Sequence, residues 1–210
     1  MIAFHFVYNL HYLYGIGPSP YELLRVPPGV IISLTFYPIA GISSGLSRNS
    51  FKNGVRLLAC AMGLSLFSYL LLPAFFISFG TLHLLAVAML LTPLWNKLSD
   101  TILAAIATAS ILLGIAFSGT IVSVRWLFPF GLISPGFTSA DYFPIFPYLG
   151  PYLIGIIIYR RLYASHRASL LPREWSWTKG LQAIGRRSLM VYLLHQPIIL
   201  LLQMLFLGLP

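Results

Sequence analysis

Apolar residues in this chain come in long runs, and short polar, Pro-rich or Gly-rich stretches separate the runs. Runs of this length predict transmembrane helices. The first, IAFHFVYNLHYLYG, reaches Gly15. That is about 22 Å at ~1.5 Å per residue, short of a ~30 Å hydrocarbon core. The first helix is therefore expected to be N-terminally incomplete, with residues before Met1 completing the span or the start misassigned. Further spans are predicted at about Gly29 to Leu46, Val55 to Phe76, Ser78 to Trp95, Thr101 to Phe117, Tyr148 to Tyr159 and Ser188 to Leu207. GIGPSPYELLRVPP and SGTIVSVRWLFPFGLISPGFTSAD are turn-rich loops, and NKLSD is a tight connection. Tyr163 to Arg187 is a basic amphipathic connector whose Trp175 and Trp177 suit a membrane–water interface. The pattern predicts an all-α, polytopic integral membrane protein with about seven transmembrane helices. Residues 1–210 are expected to form a single transmembrane domain.

One stretch sets the orientation. SADYFPIFPYLGPYLIGIIIYRRL (Ser139 to Leu162) begins with Asp141 beside Tyr142, stiffens at Pro144 and Pro147, and ends on Arg160 and Arg161. Arginines beside a span are retained on the cytoplasmic face, so this helix is expected to run from outside to inside. Alternating the spans accordingly puts all but Arg25 and Arg125 of the 13 basic residues inside. The predicted location is the cytoplasmic membrane, multi-pass, with the chain's end near the outer face.

Composition agrees. The chain is 58% hydrophobic and 8% charged, with a mean hydropathy of +0.86, too few charges to cover a soluble domain. The net charge of +9 sits in short loops rather than on one face, which excludes nucleic acid as the natural partner. Cys60 is the single cysteine and cannot form an intrachain disulfide. No zinc spacing occurs, no metal is expected, and no cleavable signal peptide is predicted.

Polar side chains inside spans are costly and so point to function. His5, Asn9 and Tyr12 follow helical spacing and are expected to share one face, with His11 nearer the outer end. His83 lies near the outer end of the fourth span. Tyr192, His195, Gln196 and Gln203 form a polar stripe on the last. Together they describe a polar track through an apolar bundle. The plainer reading is interhelical hydrogen bonding at about 1 kcal/mol each; it is favoured for Gln203, Ser65, Thr108 and Asn9 taken singly. GISSG (Gly41 to Gly45) is a small-xxx-small packing face. Arg160, Arg161, Arg186 and Arg187 could hold phosphates, although topology and lipid headgroups also explain them.

FGTLHLLAVAMLL (Phe79 to Leu91), SADYFPIFPYLG (Ser139 to Gly150) and GRRSLMVYLLHQPI (Gly185 to Ile198) together resemble the prokaryotic heparan-alpha-glucosaminide N-acetyltransferase-like membrane proteins. HFVYNLHYL and FYPIAGISSGLS fit the same pattern, so the resemblance spans nearly the whole chain. It implies a transmembrane acyltransferase that takes an acyl group, most simply acetyl, from cytosolic acetyl-CoA to an extracytoplasmic sugar-type acceptor. On that reading His5, His11, His83 and Asp141 are the candidate catalytic residues. Asn9, Tyr12, Tyr142, Tyr192, His195 and Gln196 would line the substrate path, and Arg160, Arg161, Arg186 and Arg187 would meet the CoA phosphates. Histidine suits acyl transfer because its unperturbed pKa is near neutral; general-base and acyl-histidine routes both stay open. The expected partners are the lipid bilayer and a small-molecule or glycan acceptor, and a homo-oligomer is compatible. A transporter or flippase using the same track is the rival, and a non-catalytic relative the third reading.

Overall fold

The computed structural model describes residues 2–24, 28–71, 73–164, 180, 182, 183, 185 and 187–208. Its helices are α1 (Ile2–Tyr12), α2 (Pro20–Leu24), α3 (Pro28–Leu46), α4 (Ser50–Leu71), α5 (Thr81–Leu90), α6 (Thr92–Trp95), α7 (Asp100–Phe117), α8 (Ile145–Ile158) and α9 (Ser188–Leu207). Among the described residues there is no β-strand, only isolated bridges pairing Phe79 with Tyr142 and Ile121 with Ile133. The chain divides into two compact units, Met1–Pro28 with Ala168–Pro210, and Gly29–Arg167.

In the larger unit α4 and α7 turn mostly small residues inward and large ones outward. α4 buries Ser50, Gly54, Ala61 and Ser68, and α7 buries Leu103, Ala107, Ser110 and Gly114. Both sets recur at helical spacing, so each forms a seam down one face. The opposite faces are bulky and open: Leu70 is 64% exposed and Ile115 66%. In water this would be an aggregation surface. In hydrocarbon it is the expected arrangement, because lipid gives large apolar side chains no reason to hide and helices associate by close packing.

The seams are tight. A Cβ at Gly155 of α8 would overlap the Pro38 carbonyl of α3, and one at Gly41 would overlap the Tyr152 carbonyl of α8. GISSG is thus a packing face, as its spacing predicts. On the other flank of α8, Gly150 admits the Ala107 carbonyl of α7, and Gly114 of α7 admits the Pro147 ring. Pro151 has no N–H to give the Pro147 carbonyl one turn back; Ser110 Oγ of α7 donates to it instead, at 3.3 Å. Tyr37, Leu84, Leu149, Tyr152 and Leu153 fill the core between these helices.

Several predicted boundaries move. α4, α7 and α9 are the three helices, among the described residues, long and apolar enough to cross a membrane. The third predicted span starts earlier, at Ser50, and stops at Leu71, where Pro73 opens a short 3-10 turn. The fourth is not continuous: α5 has 10 residues, breaks at Leu91 and resumes as α6 with Pro93 in its first turn. The Trp95 indole N–H reaches back across that break to the Ala88 carbonyl, at 2.9 Å. The sixth does not end at its arginines. α8 runs on as a π-helical segment, Tyr159–Tyr163, in which the Ala164 N–H reaches back to the Tyr159 carbonyl at 3.0 Å. α1 ends at Tyr12, whereas α3, α7 and α9 follow their predicted bounds closely. Most of the Tyr163 to Arg187 connector, including Trp175 and Trp177, lies outside the described residues.

Candidate functional site

In the smaller unit, α1 and α9 are joined by a chain of amides whose direction is dictated from one end. The Phe6 carbonyl can only accept, so Gln203 Nε2 donates to it, at 3.0 Å. Gln203 Oε1 then accepts from Asn9 Nδ2, at 3.0 Å, and Asn9 Oδ1 accepts from Gln196 Nε2, at 3.0 Å. Each amide orientation follows from the last. Asn9 and Gln203 are buried, so unmade bonds here would be expensive.

His5, one turn before Asn9 on α1, and His195, the residue before Gln196 on α9, have their rings 4.9 Å apart between centroids. The Tyr192 carbonyl lies 2.6 Å from His195 Nδ1, so Nδ1 carries the proton and Nε2 keeps its lone pair. His195 Nε2 and Gln196 Oε1 are buried, with no hydrogen-bond partner among the described residues. His5, Asn9, His195 and Gln196 are thus brought together, with the Tyr192 ring 5.8 Å from that of His195. His11 and Tyr12 are not part of this seam. His11 Nδ1 donates to the Gly17 carbonyl at 2.9 Å, bracing the turn after α1. The Tyr12 hydroxyl lies 3.4 Å from Ser19 Oγ on a half-exposed side chain.

In the larger unit, His83 and Asp141 meet at Gly80, the residue that starts α5. Residues 76–79 and 139–143 run side by side, with the Ala140 N–H on the Phe76 carbonyl and the Phe143 N–H on the Phe79 carbonyl, both at 2.9 Å. Ser139 Oγ accepts from the Ser78 N–H at 3.1 Å and donates to the Asp141 carbonyl at 2.8 Å. This pairing delivers the Asp141 carboxylate to the Thr81 N–H, at 3.0 Å. Only glycine at position 80 leaves room for it. The carboxylate therefore serves α5 as a cap, supplied from 60 residues further along the chain, beyond α7 and a long loop, rather than from the preceding residue.

His83, in the first turn of α5, is held at both nitrogens. The Gly80 N–H donates to Nδ1 at 3.2 Å. Ser65 Oγ spends its proton on the Ile77 carbonyl at 2.7 Å, so at 3.2 Å from Nε2 it acts as acceptor. Both constraints require the same neutral tautomer, protonated at Nε2. Tyr142 donates its hydroxyl to the Phe128 carbonyl at 2.7 Å. Burial, and after it the neighbouring Tyr148, pushes its phenol up to about 12, so it stays a neutral donor.

Asp141→Ala is expected to lower stability by about 1–2 kcal/mol, the usual worth of a helix cap. Thermal unfolding in detergent reads this directly. Asp141→Asn, which keeps an accepting oxygen, should recover most of the loss; equal losses in the two variants would refute the capping role.

At the opposite end of α8, Arg160 donates to the Trp95 carbonyl at 2.7 Å, the Leu98 carbonyl at 2.8 Å and Asp100 Oδ1 at 3.1 Å. Arg161 Nε meets Asp100 Oδ2 at 2.6 Å. The wider π turn lets two consecutive arginines reach one carboxylate at the start of α7. Arg187 is exposed at the N-cap of α9, and Arg186 lies outside the described residues.

The predicted residues therefore fall into two groups, one in each unit. Ser65 ties α4 to His83 of α5, the interhelical role its sequence reading favours, whereas Asp100 was not picked out from sequence. Asp100 had a usable signal, being one of only four acidic residues in a chain of net charge +9.

Searches of curated proteins and of solved structures found no match. A family model described as heparan-alpha-glucosaminide N-acetyltransferase, catalytic, matches residues 1–197. That match takes in α1 to α8 and α9 as far as Pro197, and with it every candidate residue above except Gln203. The chain belongs to the heparan-alpha-glucosaminide N-acetyltransferase catalytic family.

Proposed function

We propose that the protein transfers an acetyl group from acetyl-CoA to an amino or hydroxyl group of a sugar-type acceptor, with His195 as the base. Family membership implies an acetyltransferase-type activity. The observation that carries the residue assignment is the His195 imidazole, whose proton is held at Nδ1 by the Tyr192 carbonyl and whose buried Nε2 is open. A base needs an open lone pair in a fixed place. His83 offers none in this arrangement, because Gly80 and Ser65 occupy both its nitrogens.

In the direct route, His195 Nε2 takes the proton of the acceptor's N–H or O–H as that atom bonds to the acetyl carbonyl carbon. The carbon–sulfur bond breaks, and the leaving thiolate recovers the proton from the imidazolium. In the covalent route, Nε2 bonds to the acetyl carbonyl carbon as the carbon–sulfur bond breaks and CoA leaves as thiolate; the acceptor then displaces the imidazole from the acetyl group, and its proton goes to the thiolate. His5, ring to ring with His195, is placed to touch the reacting groups in either case. His83 and Asp141 order the start of α5, and His11 braces the turn after α1.

The donor reading extends to the basic residues. Arg187 is exposed at the N-cap of α9 and, with Arg186, is the better candidate for CoA phosphates, since Arg161 is paired with Asp100. Arg160 is engaged by the Trp95 and Leu98 carbonyls and by Asp100. With about seven spans and the positive-inside bias, this basic end faces the cytoplasm and the acceptor arrives from the other side.

Purified protein in liposomes, given acetyl-CoA outside and glucosamine within, tests the reading. Acceptor-dependent release of free CoA thiol together with acetylated glucosamine supports it. Folded protein that releases no thiol with glucosamine or other amino sugars refutes it. Glucosamine flux without acetyl-CoA would instead establish the transporter.

A further inference from the structure

The amide chain between α1 and α9 does more than join two helices: it fixes what Gln196 presents. Had Gln196 been free to turn its amide over, it could offer a donor or an acceptor. The Phe6 carbonyl removes that freedom through Gln203 and Asn9, so Gln196 Nε2 is committed to Asn9 and Oε1 is left as an acceptor. The neighbouring His195 Nε2 is committed to the same role by the Tyr192 carbonyl. Two consecutive residues of α9 thus carry buried acceptor atoms, neither with a partner among the described residues. An unsatisfied buried acceptor forfeits its hydration, and two side by side on one helix are not a packing accident to be expected by default.

We infer that Gln196 Oε1 and His195 Nε2 form a donor-reading pair that binds an N–H-bearing group of the substrate, with Asn9 and Gln203 as the positioning residues that set its polarity. The inference rests on the acetyl-transfer reading for the identity of that substrate. Two N–H sources fit the chemistry: an amide of the acyl-CoA pantetheine arm, or the amine of the acceptor. In either case the pair would hold the ligand by Gln196 and leave His195 the proton to be moved.

Equilibrium binding, measured without turnover, tests it. Acetyl-CoA and glucosamine are the probes, titrated separately into wild type, Gln196→Met and Gln196→Glu in detergent. Thermal unfolding and elution volume establish that each variant is folded. Met removes the accepting oxygen at nearly constant size, and binding of one probe should weaken about tenfold, the worth of one such bond. Glu keeps an accepting oxygen while losing the donation to Asn9, and should bind that probe more tightly than Met, restoring most of the loss.

A shift in the acetyl-CoA Kd alone assigns the pantetheine arm; a shift in the glucosamine Kd alone assigns the acceptor. Unchanged Kd values in folded Gln196→Met, or losses that are equal in Met and Glu, overturn the inference and leave Gln196 as a helix tie. Wild type that binds neither probe overturns it as well, with the two acceptors holding only water. Thiol release by wild type with unmoved Kd values would sink this inference and spare the activity. Moved Kd values without thiol release would do the reverse.

Discussion

His195→Asn is expected to lower the turnover of acetyl transfer by about 10²- to 10⁴-fold, the usual range for removing a positioned base. Asparagine can still donate from its side-chain amide to the Tyr192 carbonyl, so the local turn of α9 keeps its contact. What it lacks is the lone pair that His195 presents at Nε2. The fold should therefore survive while the chemistry does not, and the thermal midpoint should stay close to wild type. His83→Asn makes the contrast. Asparagine is too short to take both the Gly80 N–H and Ser65 Oγ, which His83 spans. That variant should lose about 1–3 kcal/mol of stability, the cost of leaving buried groups unpaired, with the smaller effect on turnover of the folded fraction. Wild-type turnover in His195→Asn, measured as thiol release at saturating acetyl-CoA, would remove His195 from the chemistry.

How far this arrangement can be read from sequence depends on which interactions carry it. Long apolar runs report burial in lipid, so α3, α7 and α9 follow their predicted bounds, and the Gly41 to Gly45 spacing marks a real close approach. Hydropathy is blind to where a helix stops inside an apolar run. α4 ends at Leu71 because Pro73 follows, and α5 breaks at Leu91 ahead of Pro93, yet the residues on either side remain apolar. The polar groups were legible as a set, since each is rare in its surroundings. Their pairing was not. Asn9 meets residues 187 and 194 positions away, and no periodicity relates a residue in one helix to its partner in another.

The same limit applies to role. His83 and His195 look alike in sequence, each a lone histidine in an apolar helix. The difference lies in what surrounds the two nitrogens: a backbone N–H and a hydroxyl oxygen at His83, backbone carbonyls on the Nδ1 side alone at His195. Arg160 is similar. As one of 13 basic residues it read as a phosphate ligand, but it lies within reach of the Trp95 and Leu98 carbonyls left open where α6 ends ahead of α7. Guanidinium suits that place because its forked donors can satisfy several oxygens together.

Gly155→Val is expected to be the most damaging single change in the larger unit. Its Cβ would be driven into the Pro38 carbonyl, a backbone atom of α3 that cannot rotate away as a side chain could. The reciprocal contact, Gly41 against the Tyr152 carbonyl, closes the same seam a turn along, so α3 cannot slide to relieve one clash without meeting the other. Overpacking a tight core costs about 1–3 kcal/mol when neighbours can shift, and here the neighbours are two helical backbones, which places the expected loss at or above that range. Reduced thermal midpoint and loss of a monodisperse elution peak in detergent would report it. Gly63→Ala is the matched control: α4 has nothing within 4 Å of a Cβ at that position, and the substitution should leave stability unchanged or raise it by about 0.4–1 kcal/mol. If Gly155→Val and Gly63→Ala behave alike, close approach of α3 and α8 is not what holds the unit together. If they diverge as expected, α8 is fixed along its length by its glycines, and the positions of Asp141 before it and Arg160 after it follow from that packing.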